Sequence, residues 1–278
     1  MKQISVLNQT RSLEFIFYDN ANGVILRDFE GFEHPEIRPV IENIAGVGGG
    51  AYITSRFGSR VISWSGDLVG DPATIFTLRR QMLAPFTQEG TLKLIKFTTY
   101  DDLLLQCEAE IIKVVAPYTH SIHNYLIEAK CPDWRFFSQN LYTYLTGETT
   151  VLGGMAIPAK VPYDLQAGIN SNNLFNVGTE ISDPIFTITG PGTGFTVGNT
   201  TTGESFYIDL TLTGTDSIVV DIAERTVMQN TIFNVFSNFT GDFWRLVPGN
   251  NNLRFVINSG ANSNTKLSVQ YRAAYNGI

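Results

Sequence analysis

Alternation with a period of two constrains this chain more than any other feature. In SFYIDLTLTG, Phe206, Ile208, Leu210 and Leu212 share one parity, and Tyr207, Asp209, Thr211 and Thr213 take the other. LRFVIN sets Leu253, Phe255 and Ile257 together, and KLSVQYRAAY does the same with Leu267, Val269, Tyr271 and Ala273. Successive side chains of a strand point to opposite faces, so each run buries one face of an antiparallel strand, a pattern no helix produces. Similar runs occur at Leu13–Tyr18, Val61–Trp64, Leu103–Ile111 and Tyr125–Cys131. The expectation is an all-β chain.

One helix interrupts it. GDPATIFTLRRQMLAPF offers Asp71 as N-cap and Pro72 at the first helical position, where its missing N–H costs nothing. Ile75, Leu78 and Met82 recur at helical spacing, and Pro85 ends the run. That stripe is expected to pack on a sheet, with Arg79-Arg80 on a solvated face or at a subunit contact. Most charged strands and the helix precede Trp134, whereas from Thr146 the chain is rich in Gly, Thr, Asn and Ser with short alternating runs. The shift predicts two domains, 1–140 and 141–278, the second a β-sandwich with many tight turns. Gly147–Leu174 is the least regular stretch.

Catalytic and cofactor signatures fail one by one. AGVGGGAY satisfies G-x-G-x-x-A through Gly46, Gly48 and Ala51, but a β-like run follows where the dinucleotide motif needs a helix. A flexible loop is the better reading. His120 and His123 form an H-x-x-H pair without a clear third ligand, so no metal site is expected. No G-x-S-x-G elbow, P-loop or H-E-x-x-H is present. Carboxylates such as Asp101-Asp102, Glu108, Glu110, Asp216, Asp221 and Glu224 leave glycosidase-type chemistry unsupported. Cys107 and Cys131 share parity with apolar neighbours and are expected as buried free thiols. Asn-x-Ser/Thr sequons at Asn8, Asn199 and Asn238 carry little weight without a secretory signal. Catalytic, cofactor-binding and metal residues are all expected to be absent.

A net charge of −7 without any basic cluster argues against nucleic-acid binding. The longest apolar runs fall short of the roughly 18 residues of a membrane span. MKQISVLNQTRSLEF lacks the apolar block of a signal peptide, so folding in the cytoplasm is expected.

In WRLVPGNNNLRFVIN, Pro248 presets φ for the second position of a turn and Gly249 accepts the positive φ of a type II third position. Asn250–Asn252 suit a turn through local side-chain bonds. The expectation is a structural turn at Pro248, Gly249 and Asn251, with Phe243–Val247 and Leu253–Ile257 as the two strands of a hairpin.

Several segments, in order and spacing, resemble the siphophage distal tail protein family. GSRVISWSGDLVGDPATIFTLRRQML is similar to that family's strand–turn–helix region, and IEAKCPDWRFFS to the closing strand of its first domain. NVGTEISDPIFTITGPG fits N-x-G-x-x-x-x-x-P-x-x-x-I-x-G, and LVPGNNNLRF fits L-x-P-G-x-N-x-[IL] through Leu246, Pro248, Gly249, Asn251 and Leu253. IVVDIAERTV and QYRAAYNGI resemble a later strand with its Arg turn and the terminal strand. Gly147–Leu174 has no counterpart.

The resemblance implies an N-terminal split β-barrel that forms a hexameric ring, and a C-terminal galectin-like β-sandwich facing outward. It implies a structural protein of the virion tail tip, without enzymatic activity or cofactor. One ring face would dock the tail tube protein and the other the tail-associated hub protein, with receptor-binding proteins often held outside. Gly46, Gly48, Gly49 and Gly50 lie between strands with conformational latitude, making that loop a candidate arm to a neighbouring subunit. The alternative is a carbohydrate-binding adhesin using Trp244 or loop tyrosines. Against it, the galectin His/Asn/Arg constellation with Trp-x-x-Glu is not found.

Overall fold

A computed structural model describes residues 1–18, 23–43, 48–86, 90–117, 123–147 and 172–278. The chain divides into two compact units, Met1–Asn140 with Ala274–Ile278, and Leu141–Ala273. The all-β expectation with one main helix is borne out.

Unit 1 contains β1 (Gln3–Asn8), β2 (Leu13–Tyr18), β3 (Val24–Glu30), β4 (Ile37–Asn43), β5 (Gly50–Phe57) and β6 (Arg60–Leu68). The helix α1 (Pro72–Leu83) follows, then β7 (Lys93–Thr98), β8 (Leu104–Val115), β9 (His123–Cys131) and β10 (Phe136–Ser138). Antiparallel pairing runs in the order β2-β1-β7-β8-β9-β6-β3. The sheet curls on itself: Phe17 of β2 packs on Trp64 of β6 and Tyr125 of β9, with ring centroids 5.8 and 5.2 Å apart. Among the described residues its two end strands, β2 and β3, are not paired with each other, so the barrel stays open. As the sequence predicts, Asp71 caps α1, accepting from the Thr74 amide at 2.8 Å, and Ile75 and Met82 face inward. Arg79 is not merely solvated; its Nε and Nη2 donate to the Ala116 carbonyl, which follows β8, at 3.1 and 2.9 Å.

Residues 274–278, which the sequence assigns to the second domain, return to unit 1. Ala274–Tyr275 pairs with Phe136–Phe137 of β10. Arg60 holds this return. It is buried, its guanidinium lies 4.0 Å from the centroid of the Phe136 ring, and it donates to the carbonyls of Gly31, Glu33 and Asn276. Burial lowers its pKa from the ordinary guanidinium value.

Unit 2 contains β11 (Tyr142–Gly147), β12 (Asn172–Asn176), β13 (Ile185–Thr189), β14 (Gly192–Asn199), β15 (Glu204–Leu212) and β16 (Ser217–Asp221). It continues with β17 (Thr226–Gln229), β18 (Phe233–Asn234), β19 (Phe239–Gly241), β20 (Gly249–Ser259) and β21 (Lys266–Tyr271). Two antiparallel sheets result, β11-β21-β13-β16-β17-β18 and β12-β20-β14-β15-β19. They pack face to face, with Phe186 of one against Phe206 of the other at 5.3 Å and Trp244 wedged 4.6 Å from Phe186. Burying a phenyl ring in such a core stabilises by about 1.5–3 kcal/mol.

The hairpin expected around Pro248 does not form. Phe243–Val247 is not a strand paired with Leu253–Ile257; Leu246 instead bridges Ser182 through both backbone bonds, at 3.0 and 2.9 Å. β20 begins at Gly249 and pairs with β12 and β14. Gly249 has φ +84. Asn250–Asn252 are strand residues, and Asn251 points into the core. It is fully buried, and its Oδ1 accepts from Asn199 Nδ2 at 2.8 Å and the Val247 amide at 3.1 Å. Its Nδ2 donates to the carbonyls of Val247 and Gly249 at 2.8 and 3.1 Å.

A second buried asparagine joins the other motif to this turn. Asn176 sits opposite Gly249 in the β12–β20 ladder. Its Nδ2 donates to the carbonyls of Glu180 and Leu246 at 3.1 and 3.2 Å, and its Oδ1 accepts from the Gly178 amide at 3.0 Å. The two motifs, some seventy residues apart in sequence, therefore interlock as one hydrogen-bonded knot. At the end of the first motif Gly190 has φ +96, and a Cβ there would lie 2.6 Å from the Asn264 carbonyl oxygen.

Three substitutions test these contacts. Replacing Arg60 with Met leaves three carbonyls short of a donor and is expected to cost about 3 kcal/mol in a denaturant titration. Asn251→Leu strands the Val247 amide and the Asn199 side chain and should cost about 3 kcal/mol as well. Gly249→Ala meets open space and pays only for the left-handed backbone, about 1 kcal/mol. A larger loss for Gly249 than for Asn251 would contradict the dominant role given to the asparagine.

Candidate functional site

Groups that could carry chemistry are occupied by structure. Among the described residues no three of His, Cys, Asp and Glu come together to hold a metal ion, and no helix is long and apolar enough to cross a membrane. His120 lies outside the described residues. His123 opens β9, buried with its ring edge-on to Phe76 at 6.2 Å. Cys107 and Cys131 are buried free thiols with sulfurs 3.5 Å apart. The sequons at Asn8 and Asn199 are buried; Asn8 Nδ2 donates to the Pro85 carbonyl at 3.1 Å. Trp244, the aromatic on which an adhesin reading leaned, is 1% exposed, and its Nε1 donates to the Val197 carbonyl. Trp64 is equally buried. Neither ring can stack on a sugar.

The carboxylates singled out in the sequence are dispersed. Glu108 and Glu110 face solvent on β8. Asp221 caps the turn after β16 by accepting from the Glu224 amide at 3.0 Å. Asp216 accepts from Thr213 through both its amide and its hydroxyl, at 2.9 and 2.6 Å, and from Asn230 Nδ2 at 2.9 Å. No two of these carboxyl groups share a hydrogen-bond partner among the described contacts.

What stands out is a projecting ribbon. β4 and β5 pair only with each other among the described residues, and all of their residues but Thr54 are exposed. Ile37 faces Phe57 across the ladder, and Ile41 faces Tyr52 after a bulge at Val40. Ile41 and Tyr52 are 58% and 64% exposed, so away from its base the arm's apolar side chains lack a cover among the described residues. Pro39 is tolerated because a two-stranded ribbon leaves one edge of each strand free. The base is fixed: the Phe57 ring lies 4.2 Å from Trp134 and 5.4 Å from His34. At the tip, Gly48 and Gly49 are exposed, with Gly49 at φ +113, and Gly50 opens β5 opposite Asn43. Gly46 lies outside the described residues. The turn residues Pro248, Gly249 and Asn251 belong to the knot of unit 2 and form no part of this surface. Residues 148–171, most of the irregular segment, also lie outside the described ones.

Hydrogen bonds from Asn230 and then Thr213 pull the Asp216 carboxyl down to about 2. A depressed carboxyl pKa means the turn is favoured above the ordinary value of 3.8 and loses that support as pH falls through about 2. Carboxyl NMR titration is expected to place the midpoint near 2, and Asn230→Ala should move it upward toward 3.8.

Comparison with known proteins bears on the whole arrangement. Residues 177–275 match the family model of the siphovirus-type tail component, C-terminal domain. The crystal structure of the Dit protein of phage SPP1, described as a paradigm of the hub adsorption apparatus in phages infecting Gram-positive hosts, superposes with a TM-score of 0.66. That likeness covers 98% of each chain at 13% identity. A chain of the phage P2 baseplate, solved in its activated conformation with calcium, matches with a TM-score of 0.53 over the full length of both at 10% identity. No protein among the curated sequences matches. At such identities the structural matches are matches of fold, and the family model covers mainly residues of unit 2, Asn251 among them. The resemblance to the siphophage distal tail proteins is borne out: residues 177–275 match the siphovirus-type tail component C-terminal domain, on a chain with the fold of Dit.

Proposed function

We propose that this chain is a structural protein of the virion, the ring-forming hub at the distal end of a long non-contractile phage tail. The observation that carries the reading is the fold likeness to the Dit hub protein over 98% of both chains. In this reading unit 1 builds a homo-hexameric ring between the tail tube protein and the tail-associated hub protein. Unit 2, a galectin-like sandwich, faces outward, where a receptor-binding protein can be held. The chain is made in the host cytoplasm, works at the tail tip, and needs no cofactor and catalyses no reaction.

The β4–β5 arm supplies the ring contact. A two-stranded ribbon is marginal in water by itself, and one with apolar side chains on both faces gains its stability by burial against something else. In this reading a neighbouring unit 1 in the ring is that surface. The Gly48–Gly50 tip gives the arm the latitude to follow that surface. Each chain carries −7, so the ring's passage repels DNA and lets it slide through if the acids line it.

Negative-stain images and native mass of the purified protein are expected to show rings of six. Ile41→Asp with Tyr52→Asp should abolish them while leaving the melting midpoint within about 3 °C, since both residues are exposed in the monomer. Intact rings of that variant would remove the arm from the interface. A monomer at high concentration that is retained on a glycan array would instead favour a carbohydrate-binding adhesin.

A further inference from the structure

One edge of the unit 2 sandwich ends in an aromatic surface that the folding of the chain does not require. Both sheets finish there in very short strands, β18 and β19, joined by the 3-10 turn Phe236–Asn238. Ile232, Phe233 and Phe236 are 72%, 61% and 49% exposed. Phe236, Phe239 and Phe243 form a near-parallel group, with centroids 4.5 to 6.0 Å apart and planes within 24° of each other. Phe239 lies 5.3 Å from Phe206, which is itself in the core, so the group is braced from inside.

The backbone presenting this face is held under strain. Asn230 and Thr231 have φ of 50 and 59, consecutive left-handed residues without a glycine. Such conformations persist only where the surroundings enforce them. Here Asn230 accepts from the Ser217 amide at 2.8 Å and donates to Asp216 at 2.9 Å. The result turns Ile232 and Phe233 outward to water, where they cost solubility and contribute little to the core. An exposed, braced apolar patch of this kind marks an interaction site.

Charge identifies the occupant. Residues 204–243 hold six carboxylates and one basic side chain, Arg225. Asp209 and Asp242 are exposed residues on the elements that carry the phenyl group: Asp209 follows Ile208, the partner of Phe239 in the ladder, and Asp242 precedes Phe243. Two copies docked patch to patch would bring these like charges together, as would an anionic lipid or polymer. A glycan fits poorly too, because Asn230, Asn234 and Asn238 already use side-chain groups in bonds within the protein.

We propose that this edge of unit 2 docks a different protein, through a segment that presents apolar or aromatic side chains flanked by Lys or Arg. The inference rests on the tail-hub reading, which places such partners beside unit 2. Aromatic anchors would supply the contact area, and the acidic rim would select the basic flanks.

The test is photo-crosslinking in assembled phage particles, with p-benzoylphenylalanine replacing Phe236 and, as a control on the opposite edge, Phe175. The expected result is a link from position 236 to another virion protein, mapped to an apolar segment with Lys or Arg neighbours. Asp209→Lys with Asp242→Lys, two exposed residues, should cut its yield about tenfold without changing the melting midpoint. Links only to a second copy of this chain, only to host glycan during adsorption, or to nothing overturn the proposal while the chain is present in the tail. A yield indifferent to the charge reversal overturns it as well. If the chain is absent from purified particles, the hub reading fails and this one falls with it.

Discussion

Wherever a strand leaves its ladder, the backbone groups it frees must find partners inside a water-poor core, and the rest of this structure depends on how that is done. Four polar side chains do much of it. Asn176, Asn199 and Asn251 close the turns around the two motifs of unit 2, and Arg60 gathers three carbonyls in unit 1. A buried amide without a partner costs more than a made hydrogen bond returns, so these side chains work chiefly by preventing a loss. The motifs of unit 2 are thus best understood as bonding instructions. They specify which turn meets which strand, and they explain a family pattern rich in Asn and Gly without any ligand.

The strands and the helix were legible in the sequence because burial on one face leaves a period of two or of 3.6 in the chain itself. The Pro248 region was misread for a specific reason. Asn251 has the parity of Leu253, Phe255 and Ile257, which is the inward face, and Asn199 likewise shares the parity of Phe195 and Val197. A polar residue at an inward position announces a buried bond, yet three asparagines in a row invite a loop reading. Arg60, with the parity of Ile62 and Trp64, carried the same signal. The arm was only half visible. Its glycine tip stood out, but IRPVIEN and GAYITSRF bury no face within the chain, so no alternation records what they pack against. The Thr231–Phe243 edge was missed entirely, because exposed phenylalanines and core phenylalanines look alike in a sequence.

Both surfaces singled out here share one physical trait: apolar side chains held in the open by well-satisfied polar scaffolding. The arm is anchored by Phe57 on Trp134, and the aromatic edge by Phe239 on Phe206. Rigid presentation lowers the entropy lost on association, so modest areas can hold firmly when repeated around a ring. The chain's chemistry-bearing groups, by contrast, are spent on turns and caps. That division suits a component whose task is to join other components.

The return of Ala274–Tyr275 to β10 sets an order of events during synthesis. Unit 1 opens the chain, yet its last strand and the Asn276 carbonyl that Arg60 binds are translated only after all of unit 2 has been synthesised. Until then Arg60 lacks one of its acceptors and β10 lacks a neighbour. Unit 1 therefore matures last, and a chain interrupted anywhere within unit 2 would be left without the strand that completes unit 1.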